Sequence, residues 1–349
     1  MKNINPLGLF DEHFLLEKLS KLNDPLVKLN KHIDWRIFIP VLTEALVDYE
    51  RDKKKGGRPP FDILMMFKIQ VLQGIYNLSD DQMEYQITDR RSFMRFLGLK
   101  TSDKVPDSKT IWHFRETLIA KGVIEKLFAQ FNTALDERGI FANEGRMVDA
   151  SFVEAPRQRN TREENKHIKA TGTAPPAWET KPHKFAQKDI DARWTKKNKT
   201  IFYGYKNHVK ADTKTKLIVD YLVTDASVHD SQALADLLNQ GDHEQELYAD
   251  SAYTGEEQEK VIRKNKMQNK VHEKGYRNKP LTGKQKEENT EKSRTRARVE
   301  HIFGFIENSM NGSIVRTIGI ARAEAKIGMM NLVYNIFRCV QLNKQVIMG

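Results

Sequence analysis

The sequence predicts an α/β protein with a mixed sheet, preceded by a region made only of helices. Up to about residue 138, apolar residues recur at helical spacing. After Gly139 and Gly145 the pattern changes to short strand-like runs that alternate with helix signals, as in α/β sheets. We therefore predict a helical domain at 1–138 and an α/β domain at 139–349.

The helical region contains several distinct segments. Two amphipathic stripes are predicted, Phe14, Leu15, Leu19 and Leu22, and then Trp35, Phe38, Leu42 and Leu46. A charged, Gly-rich break at 51–60 precedes an apolar core helix at 63–72, and a further helix is expected around 122–137. Ser79 and Gln82 have the spacing of a capping box, which indicates that a helix starts there.

Predicted helices at 79–87 and 108–120 are compatible with a helix-turn-helix-like DNA-binding unit. The second helix would present four polar or basic side chains outward: Lys109, Thr110, His113 and Arg115. Because the connection between the two helices is longer than a tight turn, an ordinary helical bundle is the alternative.

Four strands are predicted in the second domain, at 146–150, 202–211, 217–224 and 246–249. The first two are separated by a polar, basic stretch at 156–199, which is interpreted as a long loop or insertion. Part of this stretch is expected to be disordered unless it binds a polyanion. Trp178 and Trp194 are interpreted as anchors of this loop, with base stacking as the alternative. A capping box at Thr254–Glu257 and helices at about 290–310 and 318–342 complete the prediction.

The formal net charge of +11 is concentrated in two blocks. Residues 157–216 carry 16 Lys or Arg against 6 Asp or Glu, and residues 260–298 carry 14 against 4. Such clustering favours a surface for nucleic acid over a merely lysine-rich chain.

The single cysteine of the chain, Cys339, excludes an internal disulfide and a cysteine zinc cluster. No apolar run approaches a membrane span, and residues 1–10 do not resemble a secretion signal. We expect a soluble cytoplasmic protein without membrane contacts.

Two acids follow short predicted strands. Asp149 follows Met147 and Val148, and Asp250 follows the strand that starts at Glu246. If the two strands are neighbours, both carboxylates lie at the carboxyl edge of the sheet, where ligands bind in open α/β sheets. The alternative is that each aspartate only starts a turn.

A third acid, Glu300, borders the apolar stripe of a predicted helix: Val299, Ile302, Phe303, Ile306 and Met310. Arg296 lies one turn earlier on the same face, so a simple i,i+4 salt bridge is one interpretation. Arg294, Arg296 and Arg298 would alternatively hold DNA phosphates while the acid binds a metal. Three carboxylates suit Mg²⁺, and two such ions can catalyse an in-line displacement at phosphorus.

Short motifs from about residue 55 to the C-terminus carry a family resemblance. They lie at 56–61, 78–82, 106–111, 148–151 (Val-Asp-Ala-Ser), 203–208 (Tyr-Gly-Tyr-Lys-Asn-His), 224–230, 248–253 (Tyr-Ala-Asp-Ser-Ala-Tyr) and 298–304 (Arg-Val-Glu-His-Ile-Phe-Gly). In this combination and order the chain resembles bacterial insertion-sequence transposases of the DDE class, in the group around insertion sequence five.

The resemblance implies an RNase H-like catalytic fold in which Asp149, Asp250 and Glu300 form the catalytic, metal-binding triad. It implies two Mg²⁺ ions, with Mn²⁺ as a substitute, and duplex DNA as partner, both as terminal inverted repeats and as target. It also implies a homodimer or higher assembly on DNA, in a bacterial, nucleoid-associated setting.

Further candidates come from the matching motifs. Lys206 is a candidate DNA contact, and His208, His229 and Asp230 are candidates for supporting the acids, with helix capping as the alternative for the last two. The family often has Tyr and Lys where this chain has Ser293 and Glu307, so those two family contacts to the transposon end are not expected here.

Three other functions are compatible with parts of the sequence. An RNase H-like nuclease without strand transfer would use the same acids. A catalytically silent DNA-binding relative would fit the two departures at Ser293 and Glu307. An RNA-binding protein is suggested by the basic insertion alone.

Overall fold

The structure, a computed structural model, describes residues 10–46, 59–155, 159–197 and 199–342. The chain divides into two compact units, 1–134 together with 339–349, and 135–338. The first unit thus includes the end of the last helix, which was predicted to belong to the second domain. Most of the predicted break at 51–60, and with it the start of the motif at 56–61, lies outside the described residues.

The described residues up to 136 are helical. The helices are α1 Asp11–Lys21, α2 Pro25–His32, α3 Ile39–Leu46, α4 Ile63–Tyr76, α5 Asp80–Asp89, α6 Arg91–Leu97, α7 Ser108–Ala120 and α8 Val123–Asp136, with a 3-10 turn at Trp35–Phe38. The predicted all-helical region is therefore confirmed, and α4 extends one turn beyond its predicted end.

Local sequence explains where these helices start. Ser79 and Gln82 form the predicted capping box, each side chain satisfying the other's backbone N–H. Asp107 caps α7 by accepting the N–H of Thr110 at 2.7 Å. Helix α4 is apolar on nearly all sides and is buried along most of its length, so it lies at the centre of the helical unit.

The two predicted amphipathic stripes differ in outcome. Trp35, Phe38 and Leu42 are buried, as predicted. On α1, however, Phe14 is 61% exposed, and no residue of the helix is buried. The predicted helix is therefore present, but its apolar stripe is not buried among the described residues, because helical spacing alone does not supply a neighbouring surface.

A mixed sheet forms the centre of the second unit. Its strands are β1 Gly145–Glu154, β2 Arg193–Lys197, β3 Thr200–Asp212, β4 Ile218–Asp225, β5 Glu246–Tyr248 and β6 Gln268–Asn269. Their order is β2-β3-β1-β5-β6, and β4 also pairs with β3. Strand β1 is antiparallel to β3 and parallel to β5, which confirms the predicted mixed pairing.

The segment predicted as a loop has regular structure in its described part. It contains α9 Arg162–Thr171, the short α10 Pro182–Phe185 and strand β2. Trp178 is 2% exposed and its Nε1 donates to Glu164 at 2.8 Å, whereas Trp194 donates to the carbonyl of Asn160 at 2.8 Å. The loop prediction is wrong here, but the two tryptophans are anchors as predicted. Residues 156–158 and 198 of this segment lie outside the described residues.

Helices cover the sheet. They are α11 Leu234–Leu237, α12 Glu256–Lys264, α13 Gly283–Arg296, α14 Glu300–Gly304 and α15 Ile320–Gln341. The capping box predicted at Thr254–Glu257 does not form, because the N-cap is Gly255 and the Thr254 hydroxyl donates to the carbonyl of Ser251. Among the described residues no helix is long and apolar enough to cross a membrane.

Candidate active site

Asp149 lies in the middle of β1, opposite Val209 of β3. The sequence predicted that the strand ends at this acid, but β1 continues to Glu154. The Asp149 carboxylate accepts the N–H of Ala150 at 2.8 Å. A strand paired along β3 holds this carboxylate in a fixed position, as a metal ligand requires.

Asp250 follows β5, the parallel neighbour of β1. Met147 is in register with Tyr248, and each aspartate comes two residues later on its own chain segment. β1 and β5 are therefore neighbours, as a shared site at the carboxyl edge of the sheet requires. Asp250 also caps the following 3-10 turn, because its carboxylate accepts the N–H of Ala252 at 2.8 Å.

Glu300 begins α14, in a helical region that is less regular than predicted. Between α13 and α14 the chain forms a 3-10 turn at Ala297–Val299, and a π-helical turn follows at Phe305–Ser309. The predicted apolar stripe is buried throughout, from Val299 to Met310. Glu300 itself is 65% exposed, so its carboxylate is free to reorient.

Arg296 connects two of the three acids. Its Nη1 lies 2.9 Å from Asp149 Oδ2, and its Nη2 lies 3.4 Å from Glu300 Oε1. The i,i+4 salt bridge considered from the sequence is therefore present, but the same guanidinium also reaches the strand. It brings Glu300 to the side of β1 on which Asp149 lies.

The surroundings of Asp149 disfavour its charged form. Burial raises the pKa of this carboxyl to about 6, and the negative charge of Asp250 adds to the increase. The Ala150 N–H, Arg296 and Lys197 act in the opposite direction. Burial and a second acid both disfavour the charged form of this carboxyl group, and a bound cation would stabilise that form. This electrostatic arrangement therefore suits a metal site.

The donor set also fits a hard divalent cation, since all three candidates offer carboxylate oxygens. Among the described residues, no three His, Cys, Asp or Glu side chains are close enough together to hold one ion. Asp149 lies within a strand and Asp250 caps the turn after one, whereas Glu300 is paired with Arg296 and exposed.

His208, one of the candidates for supporting the acids, lies on the other face of the sheet. Ala150 pairs with His208, so the alternation of side chains places His208 opposite to the face of Asp149. His208 is fully buried, and its Nε2 lies 2.9 Å from the hydroxyl of Thr224. Burial lowers the pKa of this histidine to about 4.

Lys206 also lies on this second face and is 8% exposed. It donates to Asp230 at 2.7 Å and to the carbonyl of Val228 at 2.6 Å, so it is not presented to DNA as the sequence suggested. His229 caps the 3-10 turn at Asp230–Ala233, which is the alternative considered for it. Asp230 is the partner of Lys206.

The remaining DNA-binding candidates differ in exposure. Arg294 and Arg298 are exposed, and Arg298 donates to the carbonyl of Thr213 at 2.9 Å. On α7, Lys109 and His113 are exposed and Thr110 is half-buried.

Arg115 is half-buried and paired with Asp80 of α5, so it joins the two helices. Helix α6 lies between α5 and α7 in the chain, and therefore the predicted pair of helices is not joined by a simple turn.

Two contacts near the acids were not predicted. The Ser151 hydroxyl donates to Glu307 at 2.6 Å, which ties the π-helical turn to β1. Ser151 is two residues after Asp149, and alternation along a strand would have placed both on one face. In the other contact, the Nζ of Lys197 lies over the ring of Phe152, 5.7 Å from its centroid. Lys197 was predicted only as part of a basic loop.

Two models of known protein families match this chain. Residues 141–336, more than half of the sequence, match the model described as Transposase DDE domain. The chain belongs to the transposase DDE domain family. Residues 14–117 match a second model, described as Transposase domain (DUF772). Both matches are consistent with the predicted insertion-sequence type of transposase.

Among solved structures, the chain is similar to a piggyBac transposase in a synaptic complex with hairpin DNA. The sequence identity is 12% and the TM-score is 0.44, over 92% of this chain and 75% of that one.

The protein is thus a DNA transposase, an enzyme that cuts DNA and transfers strands. Its family uses divalent metal ions, and the sheet with its covering helices is the RNase H-like core of the DDE domain. The prediction of a transposase from the sequence is confirmed.

Proposed function

We propose that Asp149, Asp250 and Glu300 are the catalytic carboxylates of this transposase and hold two Mg²⁺ ions. The observation that supports this most directly is the parallel pairing of β1 with β5, which brings together the two chain segments that carry Asp149 and Asp250. Arg296 then ties the helical region that carries Glu300 to the same position.

In this proposal each side chain has a separate task. When bound, the metal ions supply an activated attacking oxygen and stabilise the leaving oxygen. Asp149 and Asp250 would hold the metal ions, and through them the scissile phosphate, in a fixed position relative to the sheet. Glu300 leaves Arg296 to join them, and Arg296 becomes available to a DNA phosphate as a two-pronged donor.

The proposed substrates are the terminal inverted repeats of the protein's own element, followed by target DNA that is attacked by the freed 3′-hydroxyl. Because two ends must be joined to one target, we propose a homodimer or higher assembly on DNA. The group around insertion sequence five remains the proposed subfamily. The exposed face of α7 is proposed to contact the repeats.

The test uses duplexes that carry the DNA ends flanking this reading frame. We expect Asp149→Asn, Asp250→Asn and Glu300→Gln each to lower cleavage by about a thousandfold or more, while duplex binding changes by roughly twofold or less. Glu291→Gln, an exposed acid of α13, is the matched control and should retain full cleavage. EDTA should abolish cleavage by the wild type but not binding.

Full strand transfer by any of the three variants would refute the assignment of the triad. Strand transfer by the wild type, measured with labelled ends, separates a transposase from a nuclease that only cuts. Sedimentation with and without the end duplex tests the assembly, and a complex with one protein copy on two joined ends would contradict the proposed dimer.

A further inference from the structure

His272 lies at the carboxyl edge of the sheet, beside Asp250. Strand β6 is the parallel neighbour of β5. Their hydrogen bonds continue beyond the ends of both strands, because the N–H of His272 donates to the carbonyl of Ala249 at 3.1 Å. The strand order β1-β5-β6 and this register therefore put Asp149, Asp250 and His272 at corresponding positions of three adjacent chain segments.

The three side chains also share one face of the sheet. The residues that precede them are buried together in one apolar cluster on the opposite face: Val148, Ala249 and Val271. Because side chains alternate along an extended chain, Asp149, Asp250 and His272 project away from that cluster. Helix α13 lies on their side, since Arg296 contacts Asp149 and the Nε2 of His272 lies 3.3 Å from the hydroxyl of Ser293.

Helix α13 carries a second cationic donor next to this histidine. Asn289 fixes the helix to the chain segment, because its side chain accepts the N–H of Glu273 at 3.0 Å and donates to the Glu273 carbonyl at 3.0 Å. One turn later, the Nζ of Lys292 donates to the carbonyl of Val271 at 3.2 Å. This bond uses one of three N–H groups, and none of the ion pairs within the described part of the chain involves Lys292.

These donors suit a phosphate better than a metal ion. Strand spacing places the backbone of His272 roughly 5 Å from that of Asp250 and roughly 10 Å from that of Asp149. Within the described ranges, no three acid, histidine or cysteine side chains are close enough to hold one ion. An ammonium group beside the ring would also repel a cation, whereas both groups form strong hydrogen bonds with phosphate oxygens.

We infer that His272 and Lys292 bind the DNA phosphate next to the one that is cut. The inference rests on the proposed function, because it takes Asp149 and Asp250 as the position of the cut phosphate. With the Ser293 hydroxyl donating to Nε2, the Nδ1–H of His272 is the ring donor that remains for a phosphate oxygen. Such contacts hold a strand without reading its sequence, so they serve transposon end and target alike.

The main experiment measures binding of the end duplex to the full-length protein in EDTA, where no cleavage occurs. A single uncharged methylphosphonate replaces one phosphate at a time around the cut mapped with the wild type. We expect one position next to the cut to weaken wild-type binding by about tenfold, because charge-assisted hydrogen bonds are lost there. His272→Ala should bind the unmodified duplex about tenfold more weakly and should respond to that same substitution by roughly twofold or less.

Three further variants separate a phosphate contact from a structural role. Lys292→Gln should lose its response at the same position. His272→Gln retains a side-chain N–H donor and should recover most of the affinity. His243→Ala is the matched control, because His243 is half-buried near the start of β5, at the opposite end of the strand, and should keep the wild-type pattern. Thermal melts identify a variant that does not fold, and if His272→Ala is one, Lys292→Gln decides.

The inference is overturned if His272→Ala and Lys292→Gln respond to every methylphosphonate as the wild type does. It is also overturned if His272→Ala raises the Mg²⁺ concentration required for cleavage while its methylphosphonate pattern stays that of the wild type, because the ring would then be a metal ligand. Failure of the proposed triad is recognised separately. In that case Asp149→Asn still cleaves, whatever the methylphosphonates show.

Discussion

At the scale of single residues, the arrangement of the site depends on Arg296. Its guanidinium is 20% exposed and bridges a strand acid and a helix acid. Arginine can do this because its planar fork offers several donors, which a lysine ammonium would not place in the same way. The bridge holds Asp149 and Glu300 near each other by offsetting the repulsion between them.

We predict that Arg296→Ala destabilises the metal-free protein by about 1–3 kcal/mol, because Asp149 loses its cationic partner. Saturating MgCl₂ should then raise the melting temperature more in the variant than in the wild type, since the cation no longer competes with Arg296. Thermal melts with and without metal measure both effects. Equal metal-induced shifts would contradict the prediction, and the double variant with Asp149→Asn should show little shift.

His208 gives the fold a dependence on pH. Its burial keeps the pKa near 4 in the folded chain, and Asp230 counteracts this only in part. The unfolded chain, with an ordinary histidine pKa of roughly 6.5, binds the proton more readily. Stability is therefore fully present above that value and is lost as pH falls towards 4.

We predict that this histidine accounts for roughly 2 kcal/mol of the stability lost between about pH 7 and pH 5. Denaturant unfolding of the wild type and of His208→Gln at the two pH values measures its share. The variant should lose less stability on acidification than the wild type. Parallel losses would show that other groups carry the dependence.

At the scale of elements, the long strand β3 depends on one glycine. Gly204 has φ +150°, and a Cβ there would lie 2.3 Å from the carbonyl oxygen of Val153 and 2.6 Å from the N of Ala155. Both obstacles are backbone atoms of the neighbouring strand or its end, so side-chain movement does not relieve them. Glycine is what allows β3 to pair with β1 on one side and with β2 on the other at this point.

We predict that Gly204→Ala destabilises the second unit by about 3 kcal/mol or more, through steric conflict and an unfavourable backbone angle. Urea unfolding followed by circular dichroism measures the change. Gly283→Ala, in the first turn of α13 with no atom within 4 Å of the added carbon, is the control and should be nearly neutral. A similar small effect at both glycines would contradict the prediction.

On helix α7, exposed residues are expected to bind DNA, and a different, half-buried residue is expected to stabilise the fold. We predict that Lys109→Ala combined with His113→Ala weakens binding of the end duplex by about tenfold, with an unchanged melting temperature, since both side chains are exposed. Arg115→Ala should instead lower the melting temperature, because it leaves Asp80 without its ion pair. Anisotropy titrations and thermal melts distinguish the two outcomes; an unchanged affinity in the double variant would remove α7 from the DNA interface.

At the scale of the whole molecule, charge governs association with DNA. The excess of +11 and the two basic blocks predict that raising NaCl from about 50 to about 200 mM weakens duplex binding by about a thousandfold or more. Anisotropy titrations at several salt concentrations measure this dependence. A duplex with an uncharged methylphosphonate backbone is the control and should bind weakly at all salt concentrations. A flat salt dependence for native DNA would show that the basic blocks do not meet phosphates.

The sequence by itself determined the class of fold, four of the six described strands and the three candidate acids. Periodicity, capping residues and motifs are local signals, and they can be recognised without knowing which segments are neighbours in space. They identified α5, α7, α8 and the last helix within a few residues, and they placed β3, β4 and β5.

Only the tertiary structure decided which distant residues meet. It paired β1 with β5, linked Asp149 to Glu300 through Arg296, buried Lys206 against Asp230 and brought Lys197 over Phe152. It also showed that the stripe on α1 is exposed and that the basic insertion contains a strand. These outcomes depend on pairing between segments far apart in the chain, and a pattern read along one segment does not contain its partner.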